Sequence, residues 1–114
     1  MLSLIMKWTL VNINNLNPNK GYSLKEDTQH DLGRGKECIL KCVSLYASRV
    51  HCSIFTTGDS IHVVDNQSSN GTYVNGNLIT SGEKVALSEN DIIGIGVRAV
   101  LDEKSLVLKV VKGD

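Results

Sequence analysis

Residues 48–76 read S-R-V-H-C-S-I-F-T-T-G-D-S-I-H-V-V-D-N-Q-S-S-N-G-T-Y-V-N-G. The apolar pattern here has a period of two rather than 3.6. Val50, Cys52 and Ile54 share one face of an extended segment, and His51, Ser53 and Phe55 share the other. Gly58-Asp59 marks a turn, after which Ile61 and Val63 resume the alternation. A polar run follows, with Asn70-Gly71 and Asn75-Gly76. Both dipeptides tolerate positive φ, and both read as hairpin signals.

The same pattern extends in both directions. Further strands are expected over 7–13, 30–32, 39–43, 72–74, 78–79, 83–86 and 91–97. Leu106, Leu108 and Val110 alternate with Val107, Lys109 and Val111, and two largely apolar faces suit a strand deep in a sandwich. Asn-rich residues with Pro18 fill 12–21, and the Asn-rich segment 12–19 reads as one long loop. No stretch of helical length keeps a helical period, so the chain is expected to be an all-β sandwich or barrel.

At 114 residues the chain is the size of one domain, large enough to enclose a core without staples. Twelve cationic and twelve acidic residues cancel, which argues against a partner held by bulk charge, such as duplex DNA or an anionic membrane. No apolar run approaches a membrane span. The greasy start, Met1 to Leu10, is broken by Lys7 and lacks the features of a signal peptide. Three cysteines, an odd number, fit a reducing intracellular compartment.

Four short clusters fall on turns. Gly33-Arg34-Gly35 presents a guanidinium, a planar fork that matches phosphate. In Ser48-Arg49-Val50-His51 a hydroxyl lies beside a cation, and His51 reads as a loop-tying residue ahead of a catalytic base for Ser48. Residues 65–76 form a polar loop rich in hydroxyl and amide groups. Residues 87–96 read as a turn into a glycine-containing strand; their G-x-G lies in a β pattern and is no dinucleotide motif.

In this order and spacing the clusters resemble the forkhead-associated (FHA) domain: L-G-R at 32–34, S-x-x-H at 48–51, S-S-N-G-T at 68–72 with V-N-G at 74–76, and L-x-x-x-D-x-I-x-x-G at 87–96. The resemblance covers about residues 6–112 of a single 1–114 domain and implies a β-sandwich of about eleven mostly antiparallel strands. Loops at one end would bind phosphothreonine peptides. It implies that Arg34 grips the phosphate and Ser48 donates its hydroxyl to it. Arg49 would add a second cation or a backbone donor, Ser69 a further phosphate contact, and Asn70 a hydrogen bond to the peptide backbone. Gly33, His51, Gly71 and Asn75 would be architectural. Val97 and Arg98, within 96–99, are the expected specificity loop for the residue three places after the phosphothreonine. The resemblance implies neither catalysis nor a cofactor. It implies a phosphothreonine-containing protein as partner and a nuclear adaptor in DNA-damage or cell-cycle signalling, such as a checkpoint mediator. The chain would then be a domain, at the N-terminus, of a larger protein.

Other readings set different expectations. Cys38, Cys42, Cys52, His51 and His62 are the residues a structural zinc module would use, but they lack paired C-x2-C spacing. Cys38 and Cys42 are expected to share one buried face of a strand instead. A nucleic-acid module has little support from zero net charge and the missing aromatic platforms. The apolar Met1–Met6 segment would pack on its own sandwich or on a second copy, making a homodimer.

Overall fold

The computed structural model describes residues 8–14, 21–97 and 104–113. They form eleven strands: β1 (Trp8–Asn12), β2 (Gly21–Ser23), β3 (Gln29–Gly33), β4 (Leu40–Lys41), β5 (Cys52–Thr57), β6 (Ser60–Asp65), β7 (Tyr73–Val74), β8 (Asn77–Leu78), β9 (Val85–Ala86), β10 (Ile92–Ile95) and β11 (Leu106–Lys112). One sheet runs β2-β1-β11-β10-β7-β8, the other β4-β3-β5-β6-β9. Every strand pair is antiparallel except β3–β4, where Gly33 lies opposite Lys41. This is the all-β sandwich expected from the period-two pattern.

β6 shows how the pattern works. Ile61, Val63 and Asp65 point inward, while Ser60, His62 and Val64 are more exposed. β11 lies between β1 and β10, and Leu106, Leu108 and Val110 are completely buried, as two apolar faces required. Leu10, Leu32, Ile54, Ile93 and Ile95 complete the centre of the core. Each such side chain contributes about 1.5–3 kcal/mol on burial.

Three details depart from the expectations. β2 was not expected: Gly21–Ser23, just after the Asn-rich segment, is only three residues long and adds to the edge of β1. The expected strand over 39–43 shrinks to two residues, because after Cys42 the chain leaves the sheet, and Ser44 Oγ donates to Gly96 O at 2.9 Å. Asn70-Gly71 is not a hairpin turn, since β6 and β7 lie in different sheets. Asn75-Gly76 is one: φ values of 53° and 83° join Val74 to its partner Asn77 in a two-residue turn. The Met1–Met6 segment and Arg98 and Ala99 lie outside the described residues.

The registers fix which loops meet. β3, β6 and β10 end, and β5 and β7 begin, at the same end of the sandwich. Loops 34–39, 42–51 and 66–72 therefore converge there. The β5–β6 turn at 58–59 lies at the opposite end.

Candidate functional site

Backbone contacts build the site first. Arg34 N–H donates to Ser48 O at 2.9 Å, and Gly35 N–H donates to Arg49 O at 2.8 Å. Loop 42–51 is thereby laid across the end of β3. A Cβ on Gly33 would lie 2.4 Å from Arg49 O and 2.7 Å from Ser48 O. Both obstacles are backbone, so only glycine permits this approach.

The loop orients the cation. Arg34 Nε donates to Ala47 O at 3.0 Å, which uses one of the guanidinium's five N–H groups. Its Nη edge has no partner among the described residues, and the side chain is exposed. Arg34, Gly35, Lys36, Lys41 and Arg49 line one groove of about 340 Å³. Among the described residues no carboxylate is part of its lining, and the Glu37 carboxylate stands at its edge beside Gly35.

His51 ties loops 42–51 and 66–72 together. It is completely buried. Its Nδ1 accepts the Ser48 N–H at 3.0 Å, and its Nε2 lies 2.8 Å from Gly71 O. A carbonyl can only accept, so Nε2 carries the proton and Nδ1 does not. Burial pushes this imidazole below its ordinary value, against the opposing pull of the Gly71 carbonyl and Asp65. The ring bonds the Ser48 backbone N–H, not the Ser48 hydroxyl, so the Ser48–His51 pair is not arranged as nucleophile and base.

The Ser48 hydroxyl instead accepts the Ser69 N–H at 3.2 Å, which leaves its own proton to donate outward. Asn70 Nδ2 donates to Tyr46 O at 2.9 Å, and this fixes an amide whose oxygen can accept a guest N–H. Ser69 is exposed beside Ser48. The Arg49 side chain is exposed, while its carbonyl anchors Gly35 and accepts from Cys38 Sγ at 3.1 Å. Arg34, Ser48, Arg49, Ser69 and Asn70 thus meet at one end of the fold. Asn75 joins the hairpin turn to β10: its Nδ2 donates to Asp91 Oδ1 at 3.0 Å and its Oδ1 accepts the Ile92 N–H at 2.9 Å. Val97 is half-buried, next to Gly96, whose carbonyl holds Ser44.

Asp65 was not singled out by the motifs, yet it organises loop 66–72. Its carboxylate accepts from Ser68 Oγ, from Thr72 Oγ1 at 2.7 Å and from Ser68 N–H at 3.1 Å. Burial alone would raise this carboxyl. The Ser68 and Thr72 donors outweigh it and hold the group below the usual carboxylate value. Lys36 and Lys41, and the carbonyls of Tyr46 and Ala47, were also missed. The carbonyls leave no side-chain signal.

The cysteines do not share a face. Cys42 is buried in the core, whereas Cys38 is half-exposed, because β4 covers only two of the three residues between them and Cys38 stays in the preceding turn. Cys52 is also in the core, where burial raises its thiol pKa strongly and opposes thiolate formation. Among the described residues, no three His, Cys, Asp or Glu side chains are grouped to hold a metal.

The comparisons with known proteins agree with this geometry. The FHA domain family model matches residues 30–96, more than half of the chain. The probable serine/threonine-protein kinase fhkA of Dictyostelium discoideum is 31% identical over 97 residues, 76% of this chain and 16% of the kinase, so the chain spans about a sixth of that relative. The N-terminal FHA domain of S. cerevisiae Rad53p, solved with a phosphothreonine peptide, superposes with a TM-score of 0.79 at 20% identity, covering 95% of this chain and 94% of that one. The FHA domain of the CT664 protein from Chlamydia trachomatis gives 0.77 at 20% identity, covering 95% and 99%. The two structures share the sandwich, and the matched residues 30–96 include β3 with its arginine turn, both tied loops and the Asn75 hairpin: the chain belongs to the FHA domain family.

Proposed function

We propose that this chain is a phosphothreonine-dependent peptide-binding module without catalysis of its own. The observation that carries this reading is the convergence of outward-facing groups at one loop end. The Arg34 Nη edge, the Ser48 hydroxyl proton, the Arg49 guanidinium and the Asn70 amide oxygen meet on a frame held by His51 and Gly33. Such a frame is preorganised, so little ordering cost falls on binding. Family membership and the phosphothreonine peptide on the Rad53p domain support it. Each hydrogen bond to a charged phosphate contributes about 1.5–3 kcal/mol. Losing two or three on dephosphorylation removes most of a micromolar affinity, which totals about −8 kcal/mol. The module is therefore a switch read by kinases and phosphatases.

In this reading the domain is one part of a larger signalling adaptor acting in nuclear DNA-damage or cell-cycle signalling. The length of the Dictyostelium kinase favours a multidomain parent. The deciding experiment is binding of an oriented phosphothreonine peptide library to the wild type and to Arg34→Ala, with unphosphorylated controls. Phosphate-dependent binding that falls at least about tenfold in the variant is expected. Equal affinity for phosphorylated and unphosphorylated peptides would overturn the reading. Imaging of the full-length protein tests the nuclear setting, which exclusion from the nucleus refutes.

A further inference from the structure

Four of the chain's twelve cationic residues line one groove: Arg34, Lys36, Lys41 and Arg49. None is bonded to a carboxylate among the described residues, and all four are exposed. Glu37, on the same turn, borders the groove: its Oε1 lies 3.2 Å from where a Cβ on the lining Gly35 would stand, so one carboxylate stands against four cations. In a chain of zero net charge this is a local surplus, and the topology produces it. The parallel β3–β4 pair sets Lys41 opposite Gly33, next in sequence to Arg34, while Leu40 turns into the core. Lys36 comes from the turn that joins the two strands.

A phosphothreonine carries about −1.5 to −2 charges near neutral pH. Arg34 and Arg49 balance that. Lys36 and Lys41 remain, with only the Glu37 carboxylate at the edge of the groove to set against them, and the groove, at about 340 Å³, is in the size range of ligand clefts. We propose that Lys36 and Lys41 form a second anion subsite, so that the preferred ligand is a phosphothreonine peptide carrying another anionic residue nearby. The inference rests on the phosphothreonine reading. A lysine ammonium is a compact charge on a flexible stem without a fixed fork, so it accepts a carboxylate or a second phosphate. An extended peptide advances about 3.3 Å per residue, which places that residue within about four positions of the phosphothreonine.

Fluorescence anisotropy on peptides of one sequence tests this. One peptide carries phosphothreonine alone. Others add a phosphoserine, or a glutamate, at each position up to four residues on either side. The readout is the ratio of affinities, doubly over singly anionic, so any effect of a variant on the phosphothreonine itself divides out. For the wild type the best phosphoserine position is expected to give about tenfold and the same glutamate about threefold, both falling as salt is added. In the double variant Lys36→Gln/Lys41→Gln both ratios fall to about one. A larger phosphoserine ratio assigns the subsite to phosphate, and equal ratios assign it to any anion. A wild-type ratio near one at every position overturns the inference alone, and so does a ratio that the double variant keeps. A phosphothreonine peptide that binds no better than its unphosphorylated control overturns the underlying reading, and this inference with it.

Discussion

Replacing His51 by leucine should cost stability and phosphopeptide affinity together. The two side chains have similar bulk, so the main loss is polar. Ser48 N–H loses its acceptor at 3.0 Å, and Gly71 O loses its donor at 2.8 Å. An unsatisfied buried group costs about 1–3 kcal/mol, so two cost about 2–6. Gly71 is only half-buried and Ser48 likewise, so water relieves part of this, and about 2–4 kcal/mol is expected. A domain of this size has about 5–15 kcal/mol in total, so the variant folds but with a narrow margin. With a urea slope of about 1–3 kcal/mol per molar, the unfolding midpoint should drop by about 1–3 M. The untied Ser48 and Asn70 loops should also weaken binding of the same phosphothreonine peptide by about tenfold at a temperature where the variant is folded. Urea melts at pH 7, with anisotropy on the folded fraction, measure both. A stability change under about 0.5 kcal/mol would refute the claim that His51 ties the loops. Lost stability with unchanged affinity would refute the coupling of the tie to the site.

Burial holds both His30 and His51 below their ordinary value of 6.5, so both are neutral in the folded protein near pH 7. The unfolded chain takes up those protons first as pH falls. Stability should therefore be flat above about pH 7 and decline below 6.5, by up to about 1.4 kcal/mol per pH unit for each histidine, a slope His51→Leu roughly halves. Asp65 adds a second acid loss below its ordinary 3.8, because its folded-state value is lower still. Urea midpoints from pH 8 to pH 2 check both, and greater stability at pH 5 than at pH 7 would contradict the histidine part. Asp65→Ala should cost about 2–4 kcal/mol, since Ser68 and the completely buried Thr72 lose their acceptor; thermal unfolding reads it. Gly33→Ala should abolish phosphopeptide binding or prevent folding, because its Cβ meets Arg49 O at 2.4 Å; a folded variant that binds normally would contradict the close approach.

Much of this was legible in the chain. The alternation of Ile61 and Val63, the apolar faces of 106–111 and the Asn75-Gly76 dipeptide report local geometry, which nearest neighbours set. Gly33, Arg34, Ser48, His51 and Asn70 were legible for a different reason. Each does a job that few residue types can do, so its identity and spacing carry the information. β2 escaped because three residues beside an Asn-rich segment are too few to show a period. Asn70-Gly71 misled because the same dipeptide serves a hairpin or a change of sheet, and Asp65, seven residues before Thr72, decides between them.

Composition and pattern by themselves therefore determined an all-β domain and most of its turns, and the order and spacing of the motifs pointed to the loop residues that the fold gathers at one end. Tertiary structure alone decided what those residues meet. The Arg34 guanidinium is aimed by a carbonyl thirteen residues away, and Asn70 is held by one twenty-four residues away. Lys41 joins the arginines only because β4 runs parallel to β3. A backbone carbonyl is the same at every position, and a strand's partner lies outside its own segment. Contacts of this kind leave no mark on local sequence and exist only once the two sheets have packed.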